Sequence, residues 1–371
     1  MARIVIALGG NALQSNPKDI SAAAQMKTVN EIVPLLADLV AAGNEILFTH
    51  GNGPQVGQIV NAYELAATVK SRNPVMPFPE CGAMSQGYIG FQLQQAMRNE
   101  LARRGIDKPI ATVITQTIVD RDDPAFRNPT KPVGSFYTLE QAKELERTMG
   151  YVIKQDSNRG YRRVVPSPKP KKIVEEPVIL GMLNAGFLVI ACGGGGIPVV
   201  QKENGDLESV PAVIDKDFGA SKLAEVLDAD VLMILTAVDN VAVNFGKPDQ
   251  RNLEKLTIRE AEEYIGQGQF APGSMLPKVQ AAVGFVSLKP EKKAIIASLH
   301  NALGAVKGTA GTVSTASGLP SAHKYGITWK KPARAGYGGL PARRGRFCKS
   351  RQAARPRGFA GGLLLFVPPL F

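Results

Sequence analysis

The sequence predicts an α/β protein in which a mainly parallel sheet is wound on both faces with helices. Two observations carry this. Short apolar runs rich in β-branched residues alternate with longer stretches of helical periodicity from residue 3 to residue 298. Several of those runs also end directly in glycine turns, and in open parallel sheets the carboxyl ends of strands are where ligands bind. The chain has 371 residues and is 44% hydrophobic, enough for one large α/β domain or two ordinary ones.

The first strand is expected over Ile4, Val5, Ile6 and Leu8, running into Gly9, Gly10 and Asn11. Without a Cβ, Gly9 and Gly10 can point their N–H groups at one anion, and Asn11 adds an amide donor; the same turn can equally be a tight bend with no ligand. Ser21 is a plausible N-cap for a helix bearing Val29, Ile32, Val33, Leu36, Leu39 and Val40, with Pro34 expected to kink or break it and Gly43 to close it. Residues 45–49 read as a second strand entering HGNGPQVG, a turn that contains Gly51, Asn52 and Gly53.

A helix is expected over residues 82–104, its Gly87 and Gly90 suiting close packing or a subunit contact, followed by a strand over 110–114. Residues 120–172 loosen into two proline-rich polar arms around short elements, an excursion read as a lid or small subdomain. Lys131 lies between Thr130 and Pro132 there, either a reaching ammonium or solvated surface. The rhythm then resumes with a helix over 174–185 and a strand over 188–192. That strand opens into four glycines including Gly194 and Gly195, a backbone suited to wrapping a phosphate or small anion. Lys216 stands between Asp215 and Asp217 ahead of a helix. A strand over 231–235 meets the turn Thr236, Ala237, Val238, Asp239, which leads through Asn244 to a helix. Finally, Met275 and Lys278 precede the small-residue helix 279–286.

Cys81, Cys192 and Cys348 lie far apart without metal-ligand spacing, so neither a disulfide framework nor a zinc site is expected. No apolar stretch is long enough to cross a bilayer, and the first strand begins too early to leave room for an export segment; a reducing, cytoplasmic setting is the expectation. The net charge of +12 is concentrated at the end. Residues 314–371 hold 11 Lys and Arg and no Asp or Glu, against 33 basic and 32 acidic residues in the rest.

Glycine turns at strand ends, lysines at 131, 216 and 278, and no evident nucleophile–base pair suggest phosphoryl transfer. That reaction requires alignment and stabilisation of spreading negative charge more than covalent chemistry. Asp217 could hold lysine heads by charged hydrogen bonds or bind Mg²⁺ indirectly; the bland alternative is a surface charge cluster at a helix start. There is no GxxxxGK[ST] and no GxGxxG with an acidic residue downstream.

In order, GGNAL, THGNGPQVG, ECGAMSQGYIG, NPTKPVG, RRVVPSPKP, GGGGIPVV, VIDKD and GSMLPKV resemble the carbamate kinases of the amino-acid-kinase fold, from about residue 3 to about residue 313. The resemblance implies a three-layer αβα architecture, with a domain over 1–313 and a protruding subdomain over about 120–172 that carries Lys131 above the site. It implies reversible transfer of phosphoryl between carbamoyl phosphate and ADP, giving ATP and carbamate. It further implies Mg²⁺ with the nucleotide and no direct protein ligand, a homodimer, and a place in fermentative arginine breakdown.

By motif, Lys131, Lys216 and Lys278 would neutralise the transferring group and Asp217 would orient lysines. Gly9, Gly10, Asn11, Gly51, Asn52, Gly53, Gly194 and Gly195 would bind substrate and phosphate. Thr236, Ala237, Val238, Asp239, Asn244 and Met275, with Lys216 and Lys278, would border the nucleotide. Two positions separate this chain from relatives. Ala7 stands where the wider family often has a lysine, a charge that Lys131 can replace, and Ala242 stands where a bulky residue is common, with modestly weaker nucleotide packing expected.

Another small-acid kinase of the same fold, acting on acetylglutamate, is the nearest alternative; no arginine-bearing insertion for an amino-acid carboxylate is evident. An inactive scaffold with a nucleic-acid-binding tail is the other. Residues 314–371 admit three readings: out-of-frame translation, a disordered basic tail whose Arg343, Arg344, Arg346, Arg351, Arg355 and Arg357 meet RNA or anionic lipid, or an extra ordered element.

Overall fold

In β1 (Arg3–Leu8), alternate side chains feed two different cores, as the period of a strand requires. Ile4, Ile6 and Leu8 pack with α1 (Ala22–Ala41) and α3 (Phe78–Arg103), while Val5 and Ala7 pack on the opposite face. The same division runs through β2 (Glu45–His50), so the sheet is buried on both sides and its strands read as continuous apolar runs. The computed structural model describes residues 2–10, 13–14, 19–69, 73–156 and 160–316; Asn11 and residues 317–371 of the expected tail lie outside the described residues.

After α2 (Gly53–Val69) and α3 come β3 (Ile110–Thr112), β4 (Gln116–Val119), β5 (Lys131–Tyr137), α4 (Leu139–Met149), β6 (Ile153–Gln155), β7 (Tyr161–Val165), β8 (Pro170–Ile173), α5 (Glu176–Asn184), β9 (Leu188–Ile190), β10 (Ile197–Gln201) and β11 (Leu207–Ser209). The chain continues through α6 (Lys216–Val226), β12 (Val231–Thr236), β13 (Val241–Val243), β14 (Arg251–Leu253), β15 (Lys255–Thr257), α7 (Ile258–Gly266), α8 (Met275–Val286), β16 (Lys293–Ser298), α9 (Ala302–Val306) and β17 (Thr312–Thr315). Eight strands form the main sheet in the order β15-β17-β16-β12-β1-β2-β9-β3. All its pairings are parallel except β16 with β17. Helices α1, α3 and α9 cover one face, and α5, α6, α7 and α8 the other. This is the three-layer αβα architecture expected from the sequence.

Local signals account for several helix starts. Ser21 caps α1 by accepting from the Ala24 amide at 3.2 Å. Thr138 with Gln141 and Thr257 with Glu260 form capping boxes at α4 and α7. Pro34 neither ends nor divides α1; Arg104 donates to the Pro34 carbonyl at 3.0 Å and to Asp38 at 2.6 Å, bracing the helix at this turn. Gly43, at φ +81°, follows the α1 C-cap.

Residues 120–172 divide between two small sheets. β5, β7 and β6 pair antiparallel and, with α4, form the protruding piece; β8 instead pairs with β4 in a four-stranded sheet of order β11-β10-β4-β8. The expected boundary at residue 313 cuts β17, whose Ser314 pairs with both Ala294 and Leu256, and Ala316 is buried in the core. Among the described residues, no helix is long and apolar enough to cross a membrane.

Candidate active site

The registers of the central strands set Leu8 level with His50 on one side and with Leu235 on the other. The segments after β1, β2 and β12 therefore leave the sheet at one carboxyl edge, where partial positive charge from following helices accumulates. The Gly51 amide donates to the Leu8 carbonyl at 3.0 Å, joining the first two turns. A Cβ on Gly51 would lie 3.2 Å from Cδ of Lys216 and 3.4 Å from the Gly10 nitrogen. A side chain at Gly51 would have to push the lysine stem aside by a few tenths of an ångström.

The glycine run closes the floor from the other side. Gly194 has φ +65°, and a Cβ there would come within 2.3 Å of the Asn52 amide. Asn52 donates to Ser85 Oγ at 2.9 Å. Gln86, in the ECGAMSQGYIG stretch but assigned no role from sequence, ties the run to the sheet: its Nε2 donates to the Gly193 and Thr115 carbonyls at 3.1 Å and its Oε1 accepts from the Thr115 amide at 2.8 Å. The His50 ring packs against Gly193, and its Nδ1 lies 3.0 Å from the Gly51 carbonyl. A carbonyl only accepts, so Nδ1 carries the proton. Complete burial pushes this imidazole down to about 4, which keeps it neutral.

The lysines meet at the start of α6. Asp215 is the N-cap, and its Oδ1 accepts from the Asp217 amide at 3.0 Å while its Oδ2 takes Lys131 Nζ at 2.7 Å. Asp217, in the first turn, holds Lys216 on Oδ1 and Lys278 on Oδ2, the latter at 2.9 Å. Three lysines from β5, α6 and α8 are thus fastened to two carboxylates two residues apart. Burial alone would raise the Asp217 pKa, but Lys216 and Lys278 outweigh it and hold the carboxyl below its ordinary value. Lys216 is pushed down, first by burial and also by Lys278, against the pull of Asp217.

A fourth ammonium was missed from sequence although RRVVPSPKP contains it. Lys169 Nζ sits 3.1 Å from the centroid of the Phe218 ring, next to Asp217 in the chain, and desolvation brings it down to about 8 despite Asp215 and Asp123 nearby. No local pattern marks it, because its neighbours come from α6 and from the turn at residue 123.

The nucleotide-side residues spread along the same edge. Thr236 ends β12 beside Gly9, whose Cβ would lie 4.0 Å from the Thr236 Cα. Ala237 and Asp239 are exposed in the following turn, with Val238 half-buried between them, and Asp239 accepts from Asn301 at 2.8 Å. Met275 opens α8, one turn before Lys278. Asn244 is not drawn to the lysines: at φ +55° it stands in a separate hairpin, its side-chain amide donating to Asp249 at 2.7 Å and its backbone N–H donating to Gln269 Oε1 at 2.9 Å. Gly53 begins α2 with open space where a Cβ would stand. Ala242 is buried in β13 opposite Asn252.

Among the described residues no three His, Cys, Asp or Glu side chains gather as a metal site. The two carboxylates at the cluster are already engaged by ammonium groups, so the residues present do not fit direct ligation of a metal ion.

The amino acid kinase family model matches residues 2–298. The carbamate kinase of Clostridium perfringens is 58% identical over 311 residues, 84% of this chain and 98% of that protein. The carbamate kinase of Thermococcus kodakarensis is 49% identical over 313 residues, with 84% and 98% covered. Among solved structures, the carbamate kinase from Giardia lamblia bound to AMP-PNP superposes with a TM-score of 0.79 at 43% identity, covering 85% of this chain and 98% of that one. By sequence along most of its length and by its fold, the chain belongs to the amino acid kinase family.

Proposed function

We propose that this chain is a carbamate kinase, transferring phosphoryl reversibly between carbamoyl phosphate and ADP to give ATP and carbamate. The convergence of Lys131, Lys216 and Lys278 on Asp215 and Asp217 at the carboxyl edge of the sheet carries this reading. Two ammonium groups on the two oxygens of one carboxylate stand close enough to grip a single phosphoryl group from two sides. Their charge is fixed before the reaction, so stabilising the spreading charge of the transition state requires little reorganisation. Asp217 sets the spacing of that pair, and Lys131 approaches from the subdomain through Asp215. The amides of Gly9 and Gly10, with Gly51 and Asn52 beside them, floor the place where carbamate meets the phosphoryl group. Thr236 and Met275 border the nucleotide.

Identity to carbamate kinases supports this acceptor over acetylglutamate. Mg²⁺ is read as arriving on the phosphates of the nucleotide rather than in a protein cage. We further read the enzyme as a cytoplasmic homodimer serving arginine breakdown. ATP formation from carbamoyl phosphate and ADP, with and without EDTA, tests the reaction and the ion together; sedimentation tests the dimer. Activity with ATP and acetylglutamate but none with carbamoyl phosphate would overturn the assignment.

A further inference from the structure

Lys131 reaches the lysine cluster from a three-stranded sheet that stands apart from the main sheet. In its three-stranded sheet, Val133, Val164 and Val165 are buried, but most other positions of β5, β6 and β7 are half-buried or exposed. Beside an apolar cluster in which Val133 and Val165 meet Val56, Val60, Phe78 and Cys81, the polar and close backbone contacts to α2 fall on one face of that helix. A Cβ on Gly57 would meet Gly134 Cα at 3.5 Å, Asn61 donates to Ser135 Oγ at 2.7 Å, and Glu64 Oε1 accepts from the Tyr151 hydroxyl at 2.5 Å. Positions 57, 61 and 64 recur at helical spacing, so a single stripe of α2 receives the subdomain.

Glu64 is the hub of this contact. Its Oε1 also lies 3.5 Å from the guanidinium of Arg163, a β7 residue directly opposite Val133 on β5. That guanidinium stacks 3.7 Å over the Tyr151 ring and stands 5.8 Å from the ring of Phe78. Burial, with the Glu64 carboxylate accepting its proton, pushes the Tyr151 phenol up to about 12, so it remains a donor at any working pH. The contact is bordered by open space. Two clefts of about 440 and 370 Å³ adjoin it, both lined by Tyr151, Arg163 and Pro211. Across the joint a small apolar cluster brings Val133 and Val165 against Val56 and Val60 of α2 and Phe78 and Cys81 of α3; such packing is non-directional, so the polar contacts of Glu64 are what fix how the subdomain is set upon it.

We propose that Glu64 is a positioning residue for the transfer: by clasping Tyr151 and Arg163 it holds the subdomain against α2 and so holds Lys131 at Asp215. The inference rests on the role assigned to Lys131 above. The geometry is direct, since Lys131 and Ser135 lie on the same strand, a span of about 13 Å at the rise of an extended chain. Asn61 fixes one end of that strand to α2, and Glu64 fixes the sheet behind it. The first turn of α2 follows directly from Gly51 and Asn52, so the clasp references the Lys131 charge to the substrate floor itself.

The test is a double-mutant cycle on the full-length protein. Glu64→Ala is expected to lower kcat about tenfold for ATP formation, the scale of coupling between residues in one contact network, with KM for ADP changed less than twofold on the same reasoning. In a Lys131→Ala background the same substitution should change nothing further, because the clasp acts through that lysine. Tyr151→Phe, which removes one hydroxyl and keeps the ring stack, should give a smaller loss of the same kind. Hydrogen exchange of the β5 and β7 amides in Glu64→Ala, read without substrate, should speed up while exchange in β1 and β12 is unchanged. Equal fold losses with and without Lys131, or full activity in both Glu64→Ala and Tyr151→Phe, would overturn the proposal. If the parent protein makes no ATP from carbamoyl phosphate, the proposed reaction fails, while the exchange measurement still decides whether Glu64 holds the subdomain.

Discussion

The main sheet and the subdomain bring lysines to the same two carboxylates by different means. Lys216 and Lys278 stand on helices of a buried layer and are 14% and 13% exposed, their shared partner Asp217 3%. Lys131 stands on a thinly packed strand and is 30% exposed. In the first region the fold's own core fixes the charges, so displacing them means disturbing the core. In the second, a small apolar cluster with α2 and α3 and a few polar contacts to α2 do the fixing. The comparison teaches that a buried pair of charges and a more exposed third can be assembled in one site when they are carried by different parts of the fold.

The contrast can be broken most sharply at Asp217. Asp217→Ala leaves two buried ammonium groups facing one another, and a loss of about 3–5 kcal/mol in urea unfolding is expected together with loss of ATP formation. A mild effect on both would mean that burial does not hold the pair. Next, Lys216→Ala or Lys278→Ala should each lower kcat roughly 10²–10³-fold, the scale of removing one preorganised donor. Lys131→Ala should lower kcat similarly, yet change unfolding by no more than about 1 kcal/mol, as for a partly exposed ion pair. A rate unchanged by Lys131→Ala would remove the subdomain from the chemistry.

His50 sharpens the main-body side. The unfolded imidazole takes up a proton as pH falls through its ordinary 6.5, whereas the folded one resists until about 4. Stability should therefore be constant above pH 6.5 from this group and decline between 6.5 and 4, by about 3 kcal/mol. His50→Gln should flatten that decline in denaturation midpoints measured across the window. The smallest effect is expected at the end of the described chain. A protein ending at residue 316 should keep kcat within about twofold and unfolding within about 0.5 kcal/mol, whereas one ending at 313 loses half of β17 and should unfold measurably earlier.

The alternation of strands and helices, the capping residues and the three glycine turns were legible in the sequence because each depends on neighbours a few positions away. The three lysines were also legible, through motifs whose order resembles a family. Short strands were less so: β10, β11, β13, β14, β15 and β17 have three to five residues each, too few to show a period. The final strand was mistaken for the start of the basic tail, since its polar Ser314 and Thr315 carry no apolar signal and its place depends on pairing with β16 and β15.

By itself, then, the sequence determined the layered α/β plan, the glycine turns and which lysines belong together as a set. Tertiary structure alone decided that Asp215 serves Lys131 while Asp217 serves the other two, that Lys169 lies on Phe218, and that Glu64 meets Tyr151 and Arg163. Apart from Lys216 with its neighbour Asp217, those pairings join residues 49 to 99 positions apart, and side chains so separated acquire partners only when strand register and helix packing bring their elements side by side. Local propensity acts along the chain, whereas the electrostatics of this site act across it.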